Sequence, residues 1–412
     1  MSSPPASWSQ PADSRRRALL TSAGAAAFAL AWTLVHAHVF RRHEIVDTAL
    51  YARYGEATVH GAVPYRDFAL EYPPGALPAF VLPALAPAGS YRAAFEALML
   101  LFGIGAVAAV SSALSAVGAS ARRLAIAVGV LGLAPLALGP VVLTRFDLWP
   151  AFLTAAAVAA LVVGRPRLAL AVLALAVAAK LYPLAIVPPA LLHVGVTRGR
   201  RSALGALATF LGTLALVVGP FLVVAPHGLA HALGVQAGRP LQIESLGAAA
   251  LLAAHQLGVY GPHVVSSFGS QNLAGRLPDA LAAVQSALTA LSVFGVWAVF
   301  ARRARERRTL LLASAAAVAG IVALSPVLSP QFLVWLLPLV VLVPEGVLPV
   351  AALALAAALV LTQAWFPNRY WDVVALRPIG WVVLLRDAVL VALYALLARE
   401  LMRRRAGTHR TR

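Results

Sequence analysis

Lys180 is the only lysine among 33 lysine and arginine side chains. It ends an apolar stretch, where an ionisable group is costly and usually functional. A lysine there is a compact point charge that suits a phosphate oxygen; the competing reading is a side chain that snorkels to the membrane surface. Arg145 and Asp147 stand in Arg145-Phe146-Asp147-Leu148-Trp149-Pro150. Arg145 can bind phosphate with Asp147 orienting it. The alternative is a local ion pair in which Asp147 caps the next helix. Asp47, in Asp47-Thr48-Ala49-Leu50-Tyr51, follows the first apolar run. A carboxylate at such a mouth, backed by others, can act as a general base. The proline-stiffened turn Pro64-Tyr65-Arg66-Asp67-Phe68-Ala69-Leu70-Glu71-Tyr72-Pro73-Pro74-Gly75 adds Arg66, Asp67, Glu71 and Tyr72.

Further along, Arg239, Gln242 and Glu244 lie in Gly238-Arg239-Pro240-Leu241-Gln242-Ile243-Glu244-Ser245-Leu246. Polar groups at this density can hydrogen-bond a sugar or simply cap the loop. Tyr182 follows Lys180 in Lys180-Leu181-Tyr182-Pro183, and Gln331 follows a run of serines and prolines, Ser325-Pro326-Val327-Leu328-Ser329-Pro330. Prolines inside apolar runs free backbone polar groups, which is tolerated where they line a cavity. The loop Trp365-Phe366-Pro367-Asn368-Arg369-Tyr370-Trp371 reads as an interfacial anchor. Arg386-Asp387, inside the last apolar run, reads as a structural pair. His227 and His231 are four apart but lack a third ligand, so no metal site is expected. The chain has no cysteine, which excludes disulfides and thiolate chemistry.

The elements that must position these residues are apolar. Hydrophobic residues make up 61% of the 412, against roughly 45–50% in a soluble domain. Apolar runs lie at about 18–39, 92–117, 124–142, 149–164, 168–180, 183–195, 203–224, 279–300, 309–327, 331–344, 347–364 and 379–398. Their continuity excludes a β-barrel. The expected fold is all-α, a polytopic bundle of about 12 spans. Residues 1–17 form an N-terminal tail, 18–400 one transmembrane domain, and 401–412 a basic tail.

The net charge of +18 sits in clusters at Arg15–Arg17, Arg122–Arg123, Arg165/Arg167, Arg198–Arg201, Arg302–Arg308 and Arg399–Arg412. Each cluster abuts an apolar run. That is the positive-inside pattern, with both termini cytoplasmic, and it argues for membrane lipids and against nucleic acid as the partner. All clusters share one side only if the apolar stretch 75–88 does not cross. The short runs 168–180 and 183–195 then form a hairpin with its tip, Lys180 to Pro183, near the outer surface. The acids favour the outer side: Glu44, Asp47, Glu56, Asp67, Glu71, Asp147, Glu244, Asp279 and Asp372, against Asp13, Glu306, Glu345 and Glu400 inside. Two long outer loops, about 40–91 and 225–278, are expected to carry the function, and 47–60 has the period of a helix lying on the surface.

These segments together resemble the family 87 glycosyltransferases, related to bacterial mannosyltransferases that depend on polyprenol-phosphate-mannose. The similarity runs through the Asp47 segment, PYRDFALEYPPG at 64–75, RFDLWP at 145–150, AAKLYPL at 178–184, RPLQIESL at 239–246 and LSPQFLVWLLP from Leu328 to Pro338. It implies the GT-C fold with interfacial helices in the first outer loop. It also implies a sugar donor on a polyprenyl phosphate, with mannose as the sugar, and a lipid or glycan acceptor at the outer face of the plasma membrane. An acidic residue of the first outer loop would be the base, and Asp47 occupies that position. Displacement would be inverting, with Lys180, Arg145 or Arg239 meeting the leaving phosphate and no cofactor required. A transporter or flippase of lipid-linked glycans is the alternative, and a non-catalytic scaffold the third reading.

Overall fold

The computed structural model describes residues 11–39 and 45–403. Glu44 and the arginines after Arg403 lie outside the described residues. Helix α1 (Pro11–Leu34) starts earlier than the apolar pattern suggests. Pro11 suits a first turn, and Arg17 pairs with Asp13 at 3.1 Å, so the first arginines belong to the helix. The segment after Val39 carries α2 (Thr48–Val59) and α3 (Leu77–Ala84). At 8 residues, α3 rises about 12 Å. A hydrocarbon core is about 30 Å thick, so the 75–88 stretch does not cross alone.

Next come α4 (Tyr91–Ala116), α5 (Ala121–Leu138), the single turn α6 (Val141–Thr144) and α7 (Leu148–Val163). The short pair α8 (Pro166–Ala179) and α9 (Val187–Arg198) follows, then α10 (Arg200–Val224) and α11 (Pro226–Ala237). The second long loop contains β1 (Leu241–Gln242), α12 (Leu246–Gln256), β2 (His263–Ser267) and β3 (Ser270–Ala274). The chain closes with α13 (Arg276–Ala301), α14 (Arg307–Leu324), α15 (Leu333–Val340), α16 (Leu348–Gln363), α17 (Tyr370–Val374) and α18 (Gly380–Met402).

Seven of these, α1, α4, α5, α10, α13, α14 and α18, are long and apolar enough to cross a membrane. They are not equivalent. The most apolar window of α14 is 78% buried and that of α10 only 6%. Helix α14 is therefore central, and its alanines (Ala313, Ala315–Ala317, Ala319) let neighbours approach closely. Helix α10 turns Leu211, Leu216, Leu222 and Val223 outward, as a lipid-facing helix does.

The arginine clusters meet at one end of the bundle. Arg17 donates to Ala119 O (2.7 Å) and Arg307 to Ala116 O (3.3 Å), so the starts of α1 and α14 adjoin the α4–α5 turn. Arg198 lies against Gly164, and Arg167 beside Gly205. The pair α8–α9 is thus a hairpin whose two ends return to the arginine-rich face, leaving Lys180 at its tip.

One expectation needs correction. The fold is nearly, but not wholly, α-helical. The loop 225–278 folds into a three-stranded antiparallel sheet of order β1-β3-β2, with Leu241 opposite Leu273 and Gln242 opposite Asn272. A two-residue turn joins β2 to β3, with φ of 54° at Phe268 and 66° at Gly269. Two positive φ values match the twist of the strands. The usual Asn-Gly or Asp-Gly signal is missing, so nothing local announced the hairpin.

Candidate functional site

The site is assembled where three helix boundaries meet the two long loops. Asp47 and Asp147 precede α2 and α7, and neither side chain caps its helix. Both carboxylates are turned to cations instead. Asp47 Oδ2 pairs with Arg145 Nη1, and Tyr51 Oη donates to the same oxygen at 3.3 Å. Arg145 is buried, extended in backbone (φ −119°, ψ 139°), and also donates Nη2 to Ile45 O at 3.2 Å. Its Nε has no partner among the described residues.

Two residues on, Asp147 faces the opposite way. Its Oδ1 accepts from Lys180 Nζ and from Trp335 Nε1, both at 2.6 Å. Asp147 therefore orients Lys180, not Arg145, and the alternative of a capping role falls away as well. Helix α8 ends at Lys180, whose extended backbone (φ −160°, ψ 142°) delivers the ammonium into this wall. Aromatic rings surround it: Phe146 at 4.8 Å, Trp335 at 5.1 Å, Phe332 at 5.5 Å and Tyr72 at 5.9 Å. Ring faces attract a cation, and only 16% of the Lys180 side chain is exposed, so Lys180 is held against the protein and does not snorkel. Tyr182 stacks on Trp335 at 4.3 Å and shares a 3.0 Å hydrogen bond with Thr154.

The proline-rich turn lies against the hairpin tip. A side chain at Gly75 would collide with the backbone of Ala178 and Ala179, and Trp149 Nε1 donates to Gly75 O at 2.9 Å. Tyr65 Oη donates to Tyr72 O at 2.5 Å, closing the turn. Glu71 is exposed at its rim, with Gln236 of α11 donating to its backbone oxygen at 3.0 Å. Arg66 and Asp67 form an exposed pair at 2.9 Å and join no other site residue. Arg66 and the amide of Val63 hold the Asp67 carboxyl down at about 2.

The second loop supplies the far wall. Arg239 donates to Ser270 Oγ of β3 at 2.9 Å. Its charge is within electrostatic reach of Lys180, Glu71 and Glu244. Gln242 Nε2 bridges Glu244 Oε2 (2.5 Å) and Ser329 Oγ (2.8 Å), while its Oε1 has no partner among the described residues. Burial pushes the Glu244 carboxyl up to about 7, although Arg386, Arg145 and Arg239 pull the other way. Gln331 sits half-buried in the turn Pro330–Phe332 and joins none of these hydrogen bonds among the described residues.

Three contributors escaped the sequence. Trp335 lies inside a quoted motif, yet only the fold brings its indole to a residue 188 positions earlier. Tyr51 was legible in principle, one helical turn from Asp47. Arg386 pairs with Asp387 at 2.6 Å, both fully buried, and so has the structural role expected. It also donates to Glu244 O at 2.7 Å, tying α18 to the second loop.

The arrangement is that of a multi-pass membrane protein with a polar site at the end of the bundle opposite its arginine clusters. Three cations and several carboxylates gather there, suited to an anionic substrate. The chain matches the model of glycosyltransferase family 87 over residues 70–330, and it belongs to that family. It is a membrane glycosyltransferase, acting between a sugar donor and an acceptor. No curated protein matches the chain. The matched span includes Glu71, Arg145, Asp147, Lys180, Arg239 and Glu244; Asp47 and Trp335 lie outside it.

Proposed function

We propose that this glycosyltransferase moves a hexose, mannose, from a polyprenyl-phosphate donor to a lipid or glycan acceptor, with inversion at the anomeric carbon. The supporting observation is the convergence of Arg145, Lys180 and Arg239 in one wall with the partly exposed carboxylate of Asp47. Its side chain is 27% exposed, against 1% for Asp147.

In this mechanism the donor phosphate draws Arg145 away from Asp47 and toward Lys180. Asp47 then takes the proton of the acceptor hydroxyl as that oxygen attacks the anomeric carbon. The bond from that carbon to the phosphate oxygen breaks, and the polyprenyl phosphate leaves with the electron pair. Lys180, Arg145 and Arg239 meet the growing charge in a site poor in water. The leaving group needs no proton, so a single carboxylate suffices, unlike the two of glycoside hydrolysis. Tyr72, Tyr182, Gln242, Glu244 and Gln331 line the sugar and acceptor side, and Arg66, Asp67 and Glu71 the mouth.

The same reading makes residues 18–400 one domain of the GT-C type with about 12 membrane segments, the shorter apolar helices included. The arginine-rich end and both termini are then cytoplasmic, and the site opens on the outer face of the plasma membrane. The test is transfer by purified Asp47→Asn with polyprenyl-phosphomannose. Loss of about 10²- to 10⁴-fold in kcat is expected, with melting temperature retained. Transfer at the wild-type rate removes Asp47 as the base. Transfer of other polyprenyl-phosphate sugars but not mannose corrects the donor alone.

A further inference from the structure

We propose that the arginine-rich end of the bundle holds a second anion site, for a phosphate-bearing group, in a cavity between Arg123 and Arg308. The cavity measures about 230 Å³ and lies among the α4–α5 turn, the first turn of α14 and the 342–346 turn. A water occupies about 30 Å³ of liquid, so a phosphate group fits with waters to spare.

Arg123 is the anchor. It is only 4% exposed and lines the cavity. Its Nη2 donates to Val341 O and, at 2.9 Å, to Val343 O. Those bonds satisfy carbonyls freed at the end of α15 and fix the plane of the guanidinium. They leave Nη1 buried without a partner among the described residues. A guanidinium that served only to terminate α15 would have no need of the second arginine. Arg308 nevertheless lines the same cavity, and Glu345 is its one acidic lining residue among the described residues. The lining therefore carries a net positive charge. Both arginines stand in first turns of long helices, α5 and α14, whose positive ends add to the field.

This site is separate from the transfer site. From Arg123, in the first turn of α5, to Leu138, at the end that leads to Arg145, the helix rises about 22 Å. The ligand chemistry is a phosphate oxyanion beside an apolar surface formed by Leu114, Val117, Leu311 and Leu342. Free phosphate and the headgroup of an anionic phospholipid both carry it.

The full-length chain in neutral detergent would be melted with inorganic phosphate, with short-chain phosphatidylglycerol and with short-chain phosphatidylcholine. A rise of several degrees with phosphatidylglycerol, with inorganic phosphate or with both is expected, and none with phosphatidylcholine. A rise with inorganic phosphate identifies a free-anion site; a rise with phosphatidylglycerol alone identifies a lipid headgroup site. Arg308 is exposed, so Arg308→Gln should fold normally and lose the shift. Gly346 has open space where a side chain would project. Gly346→Trp should fill the cavity mouth and lose the shift without touching Arg123. Arg302→Gln, outside the cavity, should keep it. No shift with either anion overturns the site. So does a shift that survives in both Arg308→Gln and Gly346→Trp.

Discussion

Asp47 and Asp147 begin helices in the same way and end in opposite environments. Asp147 is enclosed: an ammonium and an indole share one of its oxygens, and aromatic rings close the space behind. Asp47 is open on one side, held by one arginine and a long bond from Tyr51. Enclosure makes Asp147 a fixed part of the wall that orients Lys180. In the mechanism proposed above, openness is what lets an acceptor reach Asp47. On that proposal two carboxylates of one sequence type divide into a positioning group and a group that takes a proton, and packing divides them.

Exchanging the damage done at the two sites would break this comparison. Asp47→Asn is expected to lose transfer and keep the fold. Asp147→Asn should do the reverse first, because it leaves the Lys180 ammonium buried without its counter-charge. Removing one partner of a buried pair costs about 3–5 kcal/mol, so the melting temperature should fall well before activity is considered. Lys180→Met in the Asp147→Asn background should restore much of the stability and none of the transfer. If Asp147→Asn melts like wild type, the wall is not what holds Lys180.

Trp335→Phe sharpens the same point at smaller scale. The ring can still stack on Tyr182, but the Asp147 oxygen loses a donor. The expected cost is about 1–3 kcal/mol, read as a lower melting temperature and a raised KM for the donor, since Lys180 loses its fixed position. An unchanged KM would leave Trp335 as packing only.

The bundle itself was legible because membrane physics writes long-range order into local composition. Arginine clusters that alternate with apolar runs marked ends of α1, α5, α8, α9, α10, α14 and α18, and a parity argument over 75–88 agreed with the short α3. Lys180 stood out because a charge at the end of an apolar run needs a reason. Pairings were not legible. Asp147 could choose Arg145 two residues away or Lys180 across the bundle, and spacing favoured neither. The sheet was hidden for a related reason. Its β1 strand has two residues and finds its partner only after α12 has intervened. The value of Arg386 depended on a contact with a loop 142 positions earlier.

Glu244 extends the comparison to the far wall, where pH becomes the probe. Its folded pKa is raised to about 7 from an ordinary 4.5 by burial. Between those values the folded protein binds more protons than the unfolded chain, so stability falls as pH rises from about 4.5 to 7 and levels off above. Glu244→Gln should flatten that slope and melt higher than wild type near pH 8. Equal slopes in the two proteins would show Glu244 to be solvated in the folded state.

The smallest effect is expected at the mouth. Arg66 and Asp67 hold each other in solvent and touch none of the enclosed groups. An exposed pair contributes little to folding, so Arg66→Ala should leave the melting temperature where it is. If the pair guides an anionic donor inward, KM for that donor rises a few-fold while kcat stays. The Asp67 carboxyl titrates at about 2 beside Arg66. The pair therefore stays charged from neutral pH down to about pH 3–4, and the KM effect should be constant with pH over that range. Added salt should shrink it, because exposed charges are screened. A fall in kcat on the same substitution would instead move Arg66 from the mouth to the reacting centre.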